Sequence, residues 1–160
     1  MLAEALRVLR PGGLIFLGEW IHLPVDSAGI PPPGVAAFCQ ALNFSLLNEY
    51  AIPNIPPFLV DFISQSGGFD DIQSHDYYMP IGDWAPRARD LGFEFRQTLR
   101  IWAGSATVVI AKAGYDKDAI KRLVDGFMSD IFTIPGLQIV YRAVTARRVA
   151  YVDPVGRLDV

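Results

Sequence analysis

The sequence predicts an α/β fold: a mixed, three-stranded sheet with most of its helices inserted between the strands. Three observations predict it. A short helical pattern runs through Arg10-Pro11-Gly12-Gly13 into the apolar run Leu14 to Ile21. An apolar stripe at helical spacing covers Ile120, Leu123, Val124, Phe127, Met128 and Ile131. A segment of alternating character, Leu137 to Val149, closes the chain's regular part.

Taken in order, Leu2, Leu6 and Leu9 fall at helical spacing, and Ala3, Glu4 and Ala5 favour helix. Pro11 with Gly12-Gly13 ends that helix and turns the chain. The strand from Leu14 to Ile21 is nearly continuous in apolar residues, which predicts burial on both faces, as in a parallel sheet covered by helices. Pro24 to Gly34 reads as loop. Val35 to Tyr50 reads as a helix with Phe38, Leu42, Leu46 and Leu47 on one side, stopped by Pro53, Pro56 and Pro57. A further helix, Phe58 to Ser66, ends at Gly67 as a left-handed cap. Gly68 to Met79 is the second strand, its apolar content carried by Phe69, Ile72, Tyr77 and Tyr78. Helix is expected from about Arg87 to Gly92 and again from about Phe95 to Ala113, with Gly114 as its stop. Asp116 is the expected N-cap of the striped helix. Leu137 to Val149 is the third strand, and residues 153–160 form a tail.

The chain has 160 residues, 51% of them hydrophobic and 19% charged, with a net charge of −3. That is enough length for one sizeable core, and the balance leans toward burial relative to the about 25% charged residues of an average domain. No basic field favours nucleic acid or a membrane surface. The apolar runs fall far short of the roughly 20 residues that cross a bilayer. The single cysteine, Cys39, excludes an internal disulfide and fits a reducing compartment. A soluble, cytoplasmic or nuclear protein is the expectation.

Few residues carry chemistry. Ser74-His75-Asp76 has the composition of a triad, but neighbouring strand residues point to opposite faces and cannot converge on one nucleophile. His22, His75 and Cys39 show no metal-ligand spacing, so no metal site is expected. Pro11-Gly12-Gly13 and Gly67-Gly68 lie between a helix end and a strand start, the wrong side for a phosphate loop. Arg147-Arg148 reads as a solvated strand end. Glu19, Trp20 and His22 stand apart. They break an apolar strand at its carboxyl end, where open α/β sheets place their ligands, and are the candidate substrate-binding residues. The alternative is a structural role, with Glu19 capping a neighbouring loop and Trp20 packing under the helix at 35–50.

Leu9-Arg10-Pro11-Gly12-Gly13-Leu14-Ile15 resembles the turn before the fifth strand of class I S-adenosylmethionine-dependent methyltransferases, where a helix ends in L-[RK]-P-G-G. Ser66-Gly67-Gly68-Phe69-Asp70-Asp71-Ile72 resembles the step into that family's sixth strand. Pro80-Ile81-Gly82-Asp83-Trp84 is similar to the P-[IV]-G-x-W segment of fungal secondary-metabolism-type methyltransferases, as is the closing strand with Tyr141 and Arg147-Arg148. The resemblance covers about residues 2–149.

The resemblance implies a partial Rossmann-like methyltransferase fold. The family's sheet runs 3-2-1-4-5-7-6 with strand seven antiparallel, and this chain matches strands five, seven and six. Residues 1–152 would be the C-terminal half of such a domain, with cap insertions at about 23–57 and 80–135 over the side where a small-molecule methyl acceptor binds. The glycine-rich cofactor loop and the acidic ribose-binding position of the family match nothing here. The expectation is therefore a truncated enzyme, with no cofactor-binding or catalytic residue assignable, that binds no S-adenosylmethionine alone. A non-catalytic partner-binding or regulatory module, and an enzyme completed by a separate half, are the alternatives. Without a strand-four neighbour, strand 14–21 would present an apolar edge open to self-association.

Overall fold

A computed structural model of the protein describes residues 2–150; the expected tail at 153–160 lies outside them. The chain runs through helix α1 (Leu2–Val8), strand β1 (Leu14–Val25), helix α2 (Pro33–Tyr50), a 3-10 turn (Pro56–Phe58), helix α3 (Leu59–Gln65), strand β2 (Phe69–Pro80), helices α4 (Arg89–Lys112) and α5 (Lys117–Thr133), and strand β3 (Gln138–Arg148).

The sheet order is β1-β3-β2. The start of β1 meets the end of β3, where Gly12 N–H donates to Arg148 O at 2.9 Å and Arg148 N–H donates to Gly13 O at 2.8 Å. The end of β2 meets the start of β3, where Ile81 N–H donates to Leu137 O at 2.8 Å. Both neighbouring pairs are therefore antiparallel, which corrects the expectation of a mixed sheet. β1 and β2 run the same way, but β3 separates them. β1 is also not buried on both faces: Leu14 is 54% and Phe16 58% exposed. Leu14 and Phe16 share the face of β1 opposite Ile15 and Leu17, which pack against the first unit's core, so one face of the strand is uncovered there, and apolar composition alone does not reveal that.

The described chain divides into two compact units. The first comprises residues 2–19, 55–77 and 142–150. Its core is Leu59, Ile63, Phe69, Val144 and Ala146, against which Leu2 and Leu6 of α1 and Leu9 just after it pack. Gly67, at φ +67°, takes the left-handed turn expected after α3. Arg148 does more than end a solvated strand: its guanidinium donates to Leu9 O and satisfies a carbonyl at the end of α1. Tyr77 and Tyr78, expected to supply apolar content to β2, are exposed.

Asp76 of β2 and Arg142 of β3 form a two-pronged ion pair in this unit, with Nε and Nη2 donating to the carboxylate at 2.8 and 2.7 Å. The bonds from Arg142 hold the Asp76 carboxyl below its ordinary range, opposed by partial burial and assisted by the nearby charges of Arg142 and His75. A depressed carboxyl pKa stabilises the fold above the unfolded value of about 3.9 and loses that contribution as pH falls through the folded value. Asp76→Asn should therefore cost about 1–2 kcal/mol at neutral pH. The cost should shrink toward zero once Asp76 is protonated in both states. Urea midpoints of both proteins at pH 7 and about pH 2.5 check this.

The second unit comprises residues 20–54 and 78–141. Helices α2, α4 and α5 pack together around Phe38, Leu42, Leu99, Ala103, Ile110, Phe127 and Ile131. Leu47, expected on the buried side of α2, is 54% exposed, whereas Cys39 and Ser45 are buried. Asp116 caps α5 as expected, accepting from Ala119 N–H at 2.7 Å. α2 begins after Pro32 with no cap of its own, and Asp130 of α5 supplies one, accepting from Val35 N–H at 2.9 Å.

The expected break at Gly92 does not occur, and α4 is one helix. Gly92 is there for proximity. Gly82, at φ +99°, donates its N–H to Gly92 O at 2.8 Å, and a Cβ on Gly92 would lie 2.0 Å from Gly82 O. The same contact explains the Pro80-to-Trp84 segment. Ile81 is buried, Gly82 lies against α4, and Trp84 Nε1–H donates to Leu137 O at 2.9 Å.

Candidate functional site

Alternation along β1 puts Trp20, His22 and Pro24 on one face of the strand. The spacing i, i+3, i+4, i+7 puts Phe95, Thr98, Leu99 and Trp102 on one face of α4. These two rows, with Ile139 of β3, line a recess of about 160 Å³ inside the second unit. Its walls are mainly rings. Trp20 lies 5.2 Å from Phe95 and 5.0 Å from Tyr141 between ring centroids, and the His22 ring stacks on Trp102 at 5.9 Å and 24°. Trp102 is held from behind by Phe38 at 5.7 Å and Phe127 at 5.9 Å. Such ring pairs each contribute about 0.5–1.5 kcal/mol beyond burial and fix the orientation of the wall.

Of the three residues expected to bind substrate, the fold brings Trp20 and His22 to the recess. Glu19, one residue earlier, is exposed and belongs to the opposite face of β1. The α4 residues of the lining were not foreseen. Their helical row from Phe95 to Trp102 and the alternate row from Trp20 to Pro24 were both visible, but nothing in the sequence joined them.

The lining contains no carboxylate, lysine, arginine or cysteine. Its polar side chains are His22 and Thr98, and the Thr98 hydroxyl donates to Glu94 O at 3.0 Å. Cys39 supplies no nucleophile. It is buried, and burial pushes its thiol up to about 12, so it holds its proton at neutral pH. Ser74, His75 and Asp76 do not converge: His75 lies 4.8 Å from the ring of Tyr77, while Asp76 is engaged with Arg142. Among the described residues no group of three or more His, Cys, Asp or Glu side chains could hold a metal ion. No helix among the described residues is long and apolar enough to cross a membrane.

In the β1–α2 loop, Asp26 is turned inward and accepts from Ala28 N–H and Ile30 N–H, both at 2.9 Å. In the β2–α4 loop, Gly82 is closed against Gly92. The aromatic recess is smaller than the roughly 300–1,000 Å³ of sites for drug-sized ligands.

No family model matches the chain, and no curated protein matches it. Among solved structures it is similar to phosphoethanolamine N-methyltransferase 2 of Haemonchus contortus, a complex with phosphomonomethylethanolamine and S-adenosylhomocysteine. The identity is 17% and the TM-score 0.39, over 92% of this chain and 29% of that one. The chain thus spans less than a third of the length of the enzyme it is similar to.

Proposed function

We propose that these residues are the acceptor-facing half of a class I methyltransferase-like fold, binding a small-molecule methyl acceptor in the aromatic recess and not holding S-adenosylmethionine themselves. One observation carries the reading. The strands come in chain order β1, β2, β3 but lie in the order β1-β3-β2, with the last antiparallel between the other two. Strands five, six and seven of that family have this arrangement, and the family-like turns at Leu9 to Gly13 and Ser66 to Ile72 lead into β1 and β2. The second unit, with α2, α4 and α5, is then the part that meets the acceptor.

Two experiments test it. Calorimetry of the chain with S-adenosylmethionine should give no saturable heat, and micromolar binding would overturn the assignment. Residues 2–150 should also replace the strand-five-to-seven segment of an intact class I methyltransferase. A folded chimera should keep cofactor affinity and change acceptor range; one that folds but has lost cofactor affinity would count against the reading.

A second reading, partner binding along β1, is favoured by the exposure of Leu14 and Phe16 on that edge strand. It expects concentration-dependent self-association that Phe16→Lys abolishes. Sedimentation showing a monomer at about 100 μM, roughly a hundred times a 1 μM dimer constant, would remove it.

A further inference from the structure

We infer that the recess between β1 and α4 takes a single uncharged aromatic ring that carries one hydroxyl or N–H donor. This deepens the acceptor reading, resting on it only for the ligand's later fate; ring binding itself needs no cofactor.

Size comes first. The recess holds about 160 Å³, and an apolar protein cavity of about 150 Å³ accommodates benzene. One six-membered ring fills that volume. Shape and electronics come next. Trp20, Phe95 and Trp102 present ring faces and edges, against which a flat ring stacks or meets edge-on. A saturated ring of equal size has no quadrupole to match these walls, and each aromatic pair is worth about two- to tenfold in affinity.

Charge decides the class. The lining offers no carboxylate, lysine or arginine as a counter-charge, so an ionised ring would lose part of its hydration with no such partner. Beside His22, the polar mark of the lining is Thr98. Its hydroxyl proton is committed to Glu94 O, so its oxygen has lone pairs to offer and no proton to give. The matching ligand group is a donor, as a phenol O–H or an aniline N–H is.

The probes are phenol, toluene, cyclohexanol and benzoate, titrated into the full chain by tryptophan fluorescence and calorimetry. Phenol should bind saturably, with cyclohexanol and benzoate each about tenfold weaker. Thr98→Val, at an exposed helix position, should weaken phenol several-fold and leave toluene unchanged. Trp20→Leu should weaken both rings, with circular dichroism confirming the fold. The proposal is overturned if phenol does not saturate in the folded protein, if cyclohexanol matches phenol, or if Thr98→Val weakens phenol and toluene alike. Phenol binding with micromolar S-adenosylmethionine binding on the same chain would uphold the ring site and sink only the functional reading.

Discussion

Gly34→Ala should destabilise the helical unit by about 3 kcal/mol, the upper range for an overpacked contact. A Cβ at Gly34 would lie 2.3 Å from Gly126 O, 2.4 Å from Gly126 C and 2.8 Å from Asp130 Oδ2. The first two are backbone atoms of α5 and cannot rotate away, so α2 and α5 must separate. Separation also strains the bond from Val35 N–H to Asp130 that caps α2. The reciprocal substitution supplies the control. A Cβ on Gly126 would meet only Gly34 Cα, at 3.4 Å. Gly126 lies inside α5, where alanine is favoured over glycine by about 1 kcal/mol. Gly126→Ala should therefore be close to neutral. Urea midpoints of the two variants should differ clearly, and equal midpoints would mean that the helices do not cross at these glycines.

Phe127→Ala should cost about 3–5 kcal/mol. Its side chain is fully buried, 4.7 Å from Phe38 and 5.9 Å from Trp102 between ring centroids. Removing it opens a cavity where three helices meet, and the close-packed surroundings refill such a space only in part. Trp102 would lose a rear support, so the near-ultraviolet signal of the tryptophans should change as well. Phe44→Ala, on an exposed position of α2, should stay within about 0.5 kcal/mol. A Phe127 variant as stable as the Phe44 variant would refute the assigned core.

Local signals in this sequence were legible because one or two residues decide them. Pro11-Gly12-Gly13 turned α1 into β1, Gly67 ended α3, and Asp116 capped α5, each where its side chain or its lack of one required. Pairwise features were not legible. Gly92 looked like a stop because glycine disfavours helix, yet its role is to admit Gly82, ten positions earlier. Leu47 fitted an apolar face of α2 whose exposure depends on where α4 and α5 lie. The cap that Asp130 gives α2 and the pair Asp76–Arg142 join residues far apart in the chain.

The site divides in the same way. Trp20 and His22 stood out as polar and aromatic interruptions of a strand. Phe95, Thr98, Leu99 and Trp102 had an equally regular spacing, but on a helix it is indistinguishable from ordinary core patterning until the partner strand is known. Glu19 interrupts the same apolar run, and the pleat of β1 assigns it to the face opposite Trp20.

The central position of β3 has a consequence for biosynthesis. β1 and β2 share no bonds and both wait for the same mate, which the ribosome makes last of the three. At roughly 5–20 residues per second, translation separates β1 from β3 by on the order of ten seconds. Until then the edge of β1 that β3 covers keeps its backbone groups without that mate. The α2, α4 and α5 segments have all been synthesised by Thr133, so helical packing can begin before the ladder has its middle rung.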